Sequence, residues 1–402
     1  MPKDLTDSSE FRTVTVPVGS DPATAASVED PCQDLADRTR YLLDRLLVDR
    51  AGCWDDADVA GVTGSTWGGT SIPRAVCHDG SDHVFSAINS AGDIIITCDA
   101  GVGGSPLAAG GAGTDWRDEA GSLPSGFPWG GGGSYVDVEA DGAGARVAVS
   151  DSAASQLAEA AAVDGGWTAR SPATGAVLWG HVEYDPASGL WLIGGNGGEI
   201  ESSPDRSAWT ARTSGLSAQI VSMKANRDTS DPWILACTTT NLSRSQNGTS
   251  WSAAAHGLGG AIQALAYDAF LGRWVGIMWA SGGTVYSDNQ GQSWTAGGAL
   301  PGAATPVGAQ NVRIAADGQG TFVATIDMAP GAGAGIRQMF VTRDGGVTWR
   351  RVDHPERRVA AGAGTGRGPW SAGIAYGDGR FVTIGDEPAP GACGLFGHQV
   401  VE

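Results

Sequence analysis

Ile262-Gln263-Ala264-Leu265-Ala266-Tyr267, a turn over Asp268 to Gly272, Arg273-Trp274-Val275-Gly276-Ile277-Met278, a turn at Gly282-Gly283, and Thr284-Val285-Tyr286-Ser287 form one continuous stretch. Asp288-Asn289-Gln290-Gly291-Gln292-Ser293-Trp294 then leads towards a further short segment. Each apolar run is four to six residues long, rich in β-branched and aromatic residues, and bounded by Gly or Asp; this pattern predicts strands joined by tight turns. Four such strands in about forty residues make one antiparallel sheet.

Working outward, the Trp that closes this stretch recurs. Trp67, Trp116, Trp167, Trp209, Trp251, Trp294 and Trp349 lie 42 to 55 residues apart. A period in the forties carried by strand-like segments means a radial repeat of four-stranded sheets. Seven copies predict an all-β, seven-bladed β-propeller over residues 61–402, with residues 1–60 as a separate piece. Other blades repeat the pattern: His181-Val182-Glu183-Tyr184-Asp185 with Leu190-Trp191-Leu192-Ile193-Gly194, and Ile220-Val221-Ser222-Met223 with Trp233-Ile234-Leu235-Ala236. The last blade lacks its outer strand. Thr63-Gly64-Ser65-Thr66-Trp67-Gly68-Gly69 reads like Gln292-Ser293-Trp294-Thr295-Ala296-Gly297-Gly298. Residues 62–72 are therefore expected to donate the missing strand and close the ring, which removes an exposed edge.

Thr342-Arg343-Asp344-Gly345-Gly346-Val347-Thr348-Trp349 fits S/T-x-D-x-G-x-T/S-W in full, and Ser287 to Trp294 fits with Asn289 in the Asp place and Gly291 in the Gly place. Ser245 to Trp251, with Asn247, and Ser203 to Trp209, with Asp205, are one residue short. By these segments the chain resembles the Asp-box (BNR-repeat) propellers, which include sialidases and many non-enzymatic relatives. The box is a turn device: the Asp or Asn side chain bonds nearby backbone N–H groups, and Gly takes a positive φ. Asp344, Gly346, Thr348 and Trp349 and their counterparts are thus expected to serve the fold.

The chain carries 63 Gly and only 17% charged residues, which suits short strands and many turns and argues against long helices. The net charge is −19, and Lys3 and Lys224 are the only lysines. Phosphate backbones and anionic membrane surfaces would be repelled, so neither nucleic-acid binding nor membrane insertion is expected. No apolar run approaches a membrane span. The polar start, Met1 to Asp7, shows no secretory signal. Six scattered cysteines contain no C-x-x-C pair, so no zinc or redox motif is indicated. Cys77 and Cys98 share one blade, but their pairing is open.

In the N-terminal piece, Asp30-Pro31-Cys32-Gln33 is a helix start, with a cap, a Pro at the first position and a capping-box Gln. A helix over about residues 31–50 would place Leu35, Thr39, Leu42, Leu43, Leu46 and Leu47 on one face, which needs a partner. Leu35-Ala36-Asp37-Arg38-Thr39-Arg40-Tyr41-Leu42 resembles the L-x-x-R-T-x-Y/W-L segment near the N-termini of phage tail-fibre and baseplate-type proteins. That resemblance implies docking to a particle or trimerisation.

A sialidase would need three Arg gripping a carboxylate, a Tyr/Glu nucleophile pair and an Asp acid/base. The first blade should begin with R-I-P; here it reads Ser71-Ile72-Pro73-Arg74. Tyr184, Tyr267 and Tyr376 fall in repeat register, which marks them as fold residues. Glu183 beside Tyr184 is the best nucleophile-like pair, yet strand neighbours point to opposite faces. Asp99, Asp137, Glu139, Asp185, Glu199 and Glu201 are all candidate carboxylates, with Glu199 and Glu201 expected on solvated surface. His78 and His83 lack an acidic third ligand for a metal. Gly130 to Gly133 has no following Lys-Ser/Thr, so it is no phosphate loop. No catalytic residue, metal or cofactor is assigned.

The expected function is a structural or appendage protein of a phage or phage-tail-like particle, held by its N-terminal helix, with other particle subunits or itself as partner. Assembly in the cytoplasm and residence in a virion or extracellular particle follow. Trp129, Trp179, Trp279 and Trp370 lie outside the main repeat and are candidates for stacking on a surface glycan or filling a partner's pocket. An Asp-box glycoside hydrolase and a soluble assembly factor are the alternatives.

Overall fold

The computed structural model describes the strands within residues 55–56, 73–98, 117–118 and 371–399, and most of residues 135–352. All of these belong to one compact unit, Ala51–Glu402. The expected helix over 31–50 lies outside the described residues. Every described regular element is a strand, and the strands form seven four-stranded antiparallel sheets. Numbered along the chain, their innermost strands are Pro73–Asp79, Tyr135–Ala140, Trp179–Asp185, Ser222–Ala225, Ile262–Asp268, Val312–Ala316 and Ser371–Gly377. Each innermost strand neighbours the next, and the seventh neighbours the first, so the sheets stand in a closed ring. Within a sheet the strands follow one another outward in chain order.

Sheet seven is the exception. Its outer strand comes from the N-terminal side: Asp55 pairs with Gly397 and Asp56 with Phe396 of Leu395–Gln399. The closing strand is thus Asp55–Asp56, not residues 62–72, which lie outside the described residues. The other outer strands explain the shift. They begin at Arg117, Thr168, Thr210, Ser252, Thr295 and Arg350, each directly after a Trp. Trp54 stands directly before Asp55. Likeness of flanking residues favoured Trp67; the free edge of the last strand selects the segment after Trp54.

The apolar core lies between sheets. Val147, Val149 and Leu157 of sheet two pack with Trp179, Trp191 and Ile193 of sheet three. Val275 and Ile277 of sheet five pack with Phe322, Phe340 and Trp349 of sheet six. The second strand of most sheets supplies a large side chain to this layer: Phe85, Trp191, Trp274, Phe322 and Phe381 are fully buried. Tyr184, Tyr267 and Tyr376 sit directly opposite Trp191, Trp274 and Phe381 in register, with ring centroids 4.9, 5.1 and 4.8 Å apart. Such cross-strand aromatic pairs hold the pleat. Trp179 is 0% exposed and belongs to this core. It is not available for glycan stacking, because its cross-strand neighbour is Gly195, and the unopposed indole is covered by the intersheet core around it. Trp129, Trp279 and Trp370 lie outside the described residues.

Four turns between third and fourth strands share one hydrogen-bond scheme. In the clearest, Thr342 Oγ1 and Thr348 N donate to Asp344 Oδ1 (2.7 and 2.8 Å), and Trp349 Nε1 donates to the Gly346 carbonyl (3.2 Å). Asn289 accepts from Ser293 N, Asn247 from Thr249 N and Ser250 N, and Asp205 from Ser207 N and Ala208 N. The residue after each carboxylate or amide turns left-handed: Arg206, Gly248, Gln290 and Gly345 have φ of 67°, 67°, 57° and 68°. The local turn itself requires that geometry. Asp344→Ala should therefore cost about 1–2 kcal/mol, the loss of a turn cap, in urea melts. Asp344→Asn should cost under about 0.5 kcal/mol, since Asn289 already performs the role, with Nδ2 donating to Ser293 Oγ at 2.8 Å. Equal losses for the two variants would show that charge, not turn geometry, holds the box.

A second carboxylate joins neighbouring sheets. Asp79 and Asp268 end the inner strands of sheets one and five and are buried. Each accepts from its own turn, at Ser81 N (3.0 Å) and Leu271 N (2.8 Å). Each also accepts from a backbone N–H of the next sheet, Gly144 or Gly320, at 2.7 Å. Asp268→Ala would leave the buried Gly320 N–H unpaired and should lower stability by about 2 kcal/mol; a change within about 0.3 kcal/mol in denaturant titration would show that the tie carries no weight.

Cys77 and Cys98 do lie in one sheet, in its first and third strands, and Cys77 is a buried free thiol.

Candidate functional site

The centre of the ring collects the chemistry. Aligning inner strands on the residue that opens the first turn (Asp79, Asp141, Asp185, Asn226, Asp268, Asp317, Gly377) puts Cys77, Glu139, Glu183, Lys224, Ala266, Ala315 and Ala375 at one level. Two residues earlier stand Ala75, Asp137, His181, Ser222, Ala264, Arg313 and Gly373. Charge is thus concentrated on sheets two to four, faced by Arg313 of sheet six and otherwise by small residues. A cavity of about 80 Å³ lies here, lined by Asp137, Glu139, His181, Lys224, Gln263 and Arg313 among others.

The charges pair internally. Lys224 Nζ donates to Glu183 Oε2 (2.6 Å) and Glu139 Oε2 (3.1 Å). Arg227 Nη2 donates to Glu139 Oε1 at 2.8 Å, and its Nε lies 3.6 Å from Glu183 Oε1. The Glu183 side chain is 1% exposed, that of Lys224 39%. Burial pushes the Glu183 carboxyl up to about 7, against the pull of Lys224. Burial acts on Glu139 in the same sense, but Lys224 and Arg227 outweigh it and hold that group low. For Lys224, burial would favour the neutral form; Glu183, Glu139 and Asp137 overcome this and keep it charged. Asp137 is raised to about 6 by burial, although Val182 N donates to its Oδ2 at 3.1 Å. His181, 3.8 Å from that oxygen, is lowered to about 3 by burial and by Arg313 and Lys224, so it is neutral near pH 7.

The sequence candidates are distributed as follows. Asp137 and Glu139 line the cavity, and Glu183 lies beside them. Tyr184 packs instead with the intersheet core against Trp191, so the two residues do not act as a nucleophile pair. Asp185 is buried and caps its own turn through Ser188 N. Glu201 corrects the expectation of a solvated position. It is fully buried and accepts from Ala173 N (2.8 Å) and Thr174 N (2.6 Å), tying the incoming connection to sheet three. Glu199 is partly buried and bonds Gly197 N. His78 stacks on Phe85 with centroids 4.6 Å apart. Asp99 and His83 lie outside the described residues. Among the described residues no group of three or more His, Cys, Asp or Glu could hold a metal.

Lys224, Arg227, His181, Gln263 and Arg313 were not singled out by sequence reasoning. The available signal was register: one of only two lysines falls two residues before the turn-opening residue, where sheets two and three carry Glu.

Beyond the charged level, in the turns that follow the inner strands, is an apolar patch. Phe270 is 76% exposed, and Leu271 and Val347 are also exposed. Leu271 lies against Gly345, in the turn that carries Val347.

No protein-family model matches the chain, and no curated protein does. Solved structures do. YCF48 from Cyanidioschyzon merolae aligns at TM-score 0.57 and 13% identity over 86% of this chain and 98% of that one. A streptogramin B lyase aligns at 0.57 and 11% over 86% and 96%, and YCF48 bound to D1 peptide at 0.55 and 12% over 87% and 95%. The fold is a β-propeller. At these identities the likeness concerns the fold and not the function, which one propeller shape shares among many tasks.

Proposed function

We propose that this chain is a seven-bladed propeller of the Asp-box type that binds another protein and does not turn over a substrate. The observation that carries the reading is the patch of Phe270, Leu271 and Val347. A Phe three-quarters exposed on a turn, beside two further apolar side chains, is the kind of anchor that protein interfaces use. The central carboxylates support the second half of the reading. Glu139 and Glu183 are held by Lys224 and Arg227 rather than poised as a free pair across a cleft, as glycoside hydrolysis would need. One structurally similar protein is described as bound to a peptide, which is in keeping with a peptide or protein partner here.

We place the partner among the subunits of a phage or phage-tail-like particle, or in a second copy of this chain, with attachment through the segment around Leu35, Leu42 and Leu46. The support for that part is the likeness of Leu35–Leu42 to tail-protein segments. Sedimentation of a native lysate with mass spectrometry tests it. Co-migration with a fast particle is expected, and its loss in Phe270→Ser at unchanged thermal stability would move the attachment from the Leu35 segment to the patch. Recovery only in light fractions as a one-to-one complex would favour an assembly factor. Turnover of a sialoside by the purified chain would overturn the non-catalytic reading.

A further inference from the structure

Phe270, Leu271 and Val347 stand among charges that restrict what can cover them. In a sheet whose antiparallel strands follow one another in order, the first and third turns fall at the same end. These turns of sheets four, five and six therefore share one face, and contacts join them. Leu271 of sheet five packs against Gly320 and Gly345 of sheet six, and Arg273 Nη1 donates to the Gly345 carbonyl at 3.4 Å. On the other flank, Asp231 of sheet four accepts from Gln290 Nε2 of sheet five at 3.1 Å.

The turns carry Asp228, Asp231, Asp288, Asp317 and Asp344 against Arg227 and Arg343, with Arg273 opening the adjoining strand. Two of these arginines already answer carboxylates: Arg227 Nη2 donates to Glu139 in the central cluster, and Arg273 Nη2 donates to Asp288 at 3.0 Å. Against Arg343 that leaves Asp228 and Asp231 on one side of the Phe270 turn and Asp317 and Asp344 on the other. Asp231 and Asp344 are exposed, Asp228 and Asp317 partly so. Their hydrogen-bond donors are neutral: Ser230 N for Asp228, Trp233 Nε1 for Asp231, Thr321 N for Asp317 and Thr348 N for Asp344. Such bonds favour the charged form without cancelling it; those from Ser230 hold the Asp228 carboxyl below the usual carboxylate range. An apolar centre thus lies between two acidic flanks. A second copy of this chain, with net charge −19, would set these carboxylates against themselves. A wholly apolar occupant would cover them without a counter-charge. A segment with cations on either side of an apolar residue meets both demands.

We propose that this face docks a cationic segment of a partner protein, an apolar side chain covering Phe270, Leu271 and Val347 while flanking Lys or Arg residues meet Asp228 and Asp231 on one side and Asp317 and Asp344 on the other. The proposal rests on the protein-binding reading and adds to it the chemistry of the partner.

The full chain is titrated with three labelled, end-blocked hexapeptides: Leu-Leu flanked by two Lys on each side, Leu-Leu flanked by two Glu on each side, and Ser-Ser flanked by two Lys on each side. By fluorescence anisotropy the Lys–Leu peptide is expected to bind at least about tenfold more tightly than either control. Phe270→Ser should bring it down to the level of the Ser-Ser peptide. Asp228→Asn with Asp231→Asn, which keeps an acceptor for Trp233, should slow association several-fold in stopped flow and flatten its dependence on salt at unchanged Tm; a purely structural role would move Tm and leave the salt dependence alone. Asp228→Lys with Asp231→Lys should turn the preference towards the Glu peptide; if that variant does not fold, the Asn pair decides. Equal or tighter binding by the Glu peptide, Lys–Leu binding unchanged by Phe270→Ser or by the Asn pair, self-association of the purified chain that Phe270→Ser abolishes, or no binding by any peptide would each overturn the proposal. The two readings fail separately. A lysate partner lost in Phe270→Ser but indifferent to the Asn pair and to salt keeps the protein-binding reading and refutes the cationic segment. Turnover of a sialoside with the Lys–Leu selectivity intact refutes the non-catalytic reading alone.

Discussion

Lys224→Met should destabilise the protein by about 3 kcal/mol at pH 8, because it strands two buried carboxylates. The figure is below the upper range for a broken buried pair because the Lys224 side chain is 39% exposed and partly screened, and because Arg227 remains beside both carboxylates. The loss should depend on pH. Glu183 has a folded pKa of about 7 against an ordinary 4.5, so the folded state holds its proton more tightly than the unfolded one. That contribution to stability is complete below about 4.5 and is lost as pH rises through about 7. Without Lys224 the carboxyl titrates higher still. The deficit of the variant should therefore shrink to about 1 kcal/mol by pH 5.5, where Glu183 carries a proton and only Glu139 needs a cation. Urea denaturation at the two pH values reads both numbers. Adding Glu183→Gln to Lys224→Met should recover most of the loss at pH 8, and a strictly additive double mutant would refute the coupling.

Trp274→Ala should cost about 4 kcal/mol, whereas Trp294→Ala, twenty residues on in the same sheet, should cost about 1–2 kcal/mol. Trp294 belongs to the periodic series that announces the fold, yet it is only partly buried. Trp274 is fully buried between sheets four and five, stacks on Tyr267 and donates Nε1 to Gln290 Oε1 at 2.9 Å. Its removal opens an intersheet cavity and unties the adjoining turn. Thermal and urea unfolding of the two variants measure the difference. Equal losses would mean that the periodic Trp carries the intersheet packing as fully as the second-strand aromatic does.

The repeat and its turns were legible in the chain because each is a local matter. A Ser or Thr, an Asp or Asn two residues on, and a Trp four to five beyond it close a turn through bonds spanning two to four residues, whatever the rest of the molecule does. Strand alternation is local in the same way. The phased Tyr184, Tyr267 and Tyr376 declared themselves as packing residues for that reason. The closing strand was less legible: two Trp-led segments compete near the N-terminus, and the edge that accepts one of them lies some 340 residues away, at Leu395–Gln399. Burial was harder still. Trp179 and Glu201 look like surface residues beside their neighbours, and both are covered by elements outside their own hairpins.

The amino-acid sequence by itself determined an all-β chain of repeated four-strand units with Asp- or Asn-capped turns, since hydrophobic period and turn chemistry act over a few residues. Only the tertiary structure decided which polar residues meet. Lys224 finds Glu183 and Glu139 at separations of 41 and 85 residues, and Arg227 finds Glu139 at 88. The reason is geometric: closing seven sheets into a ring brings the same register level of every inner strand to one axis, and no local pattern records which residues share it.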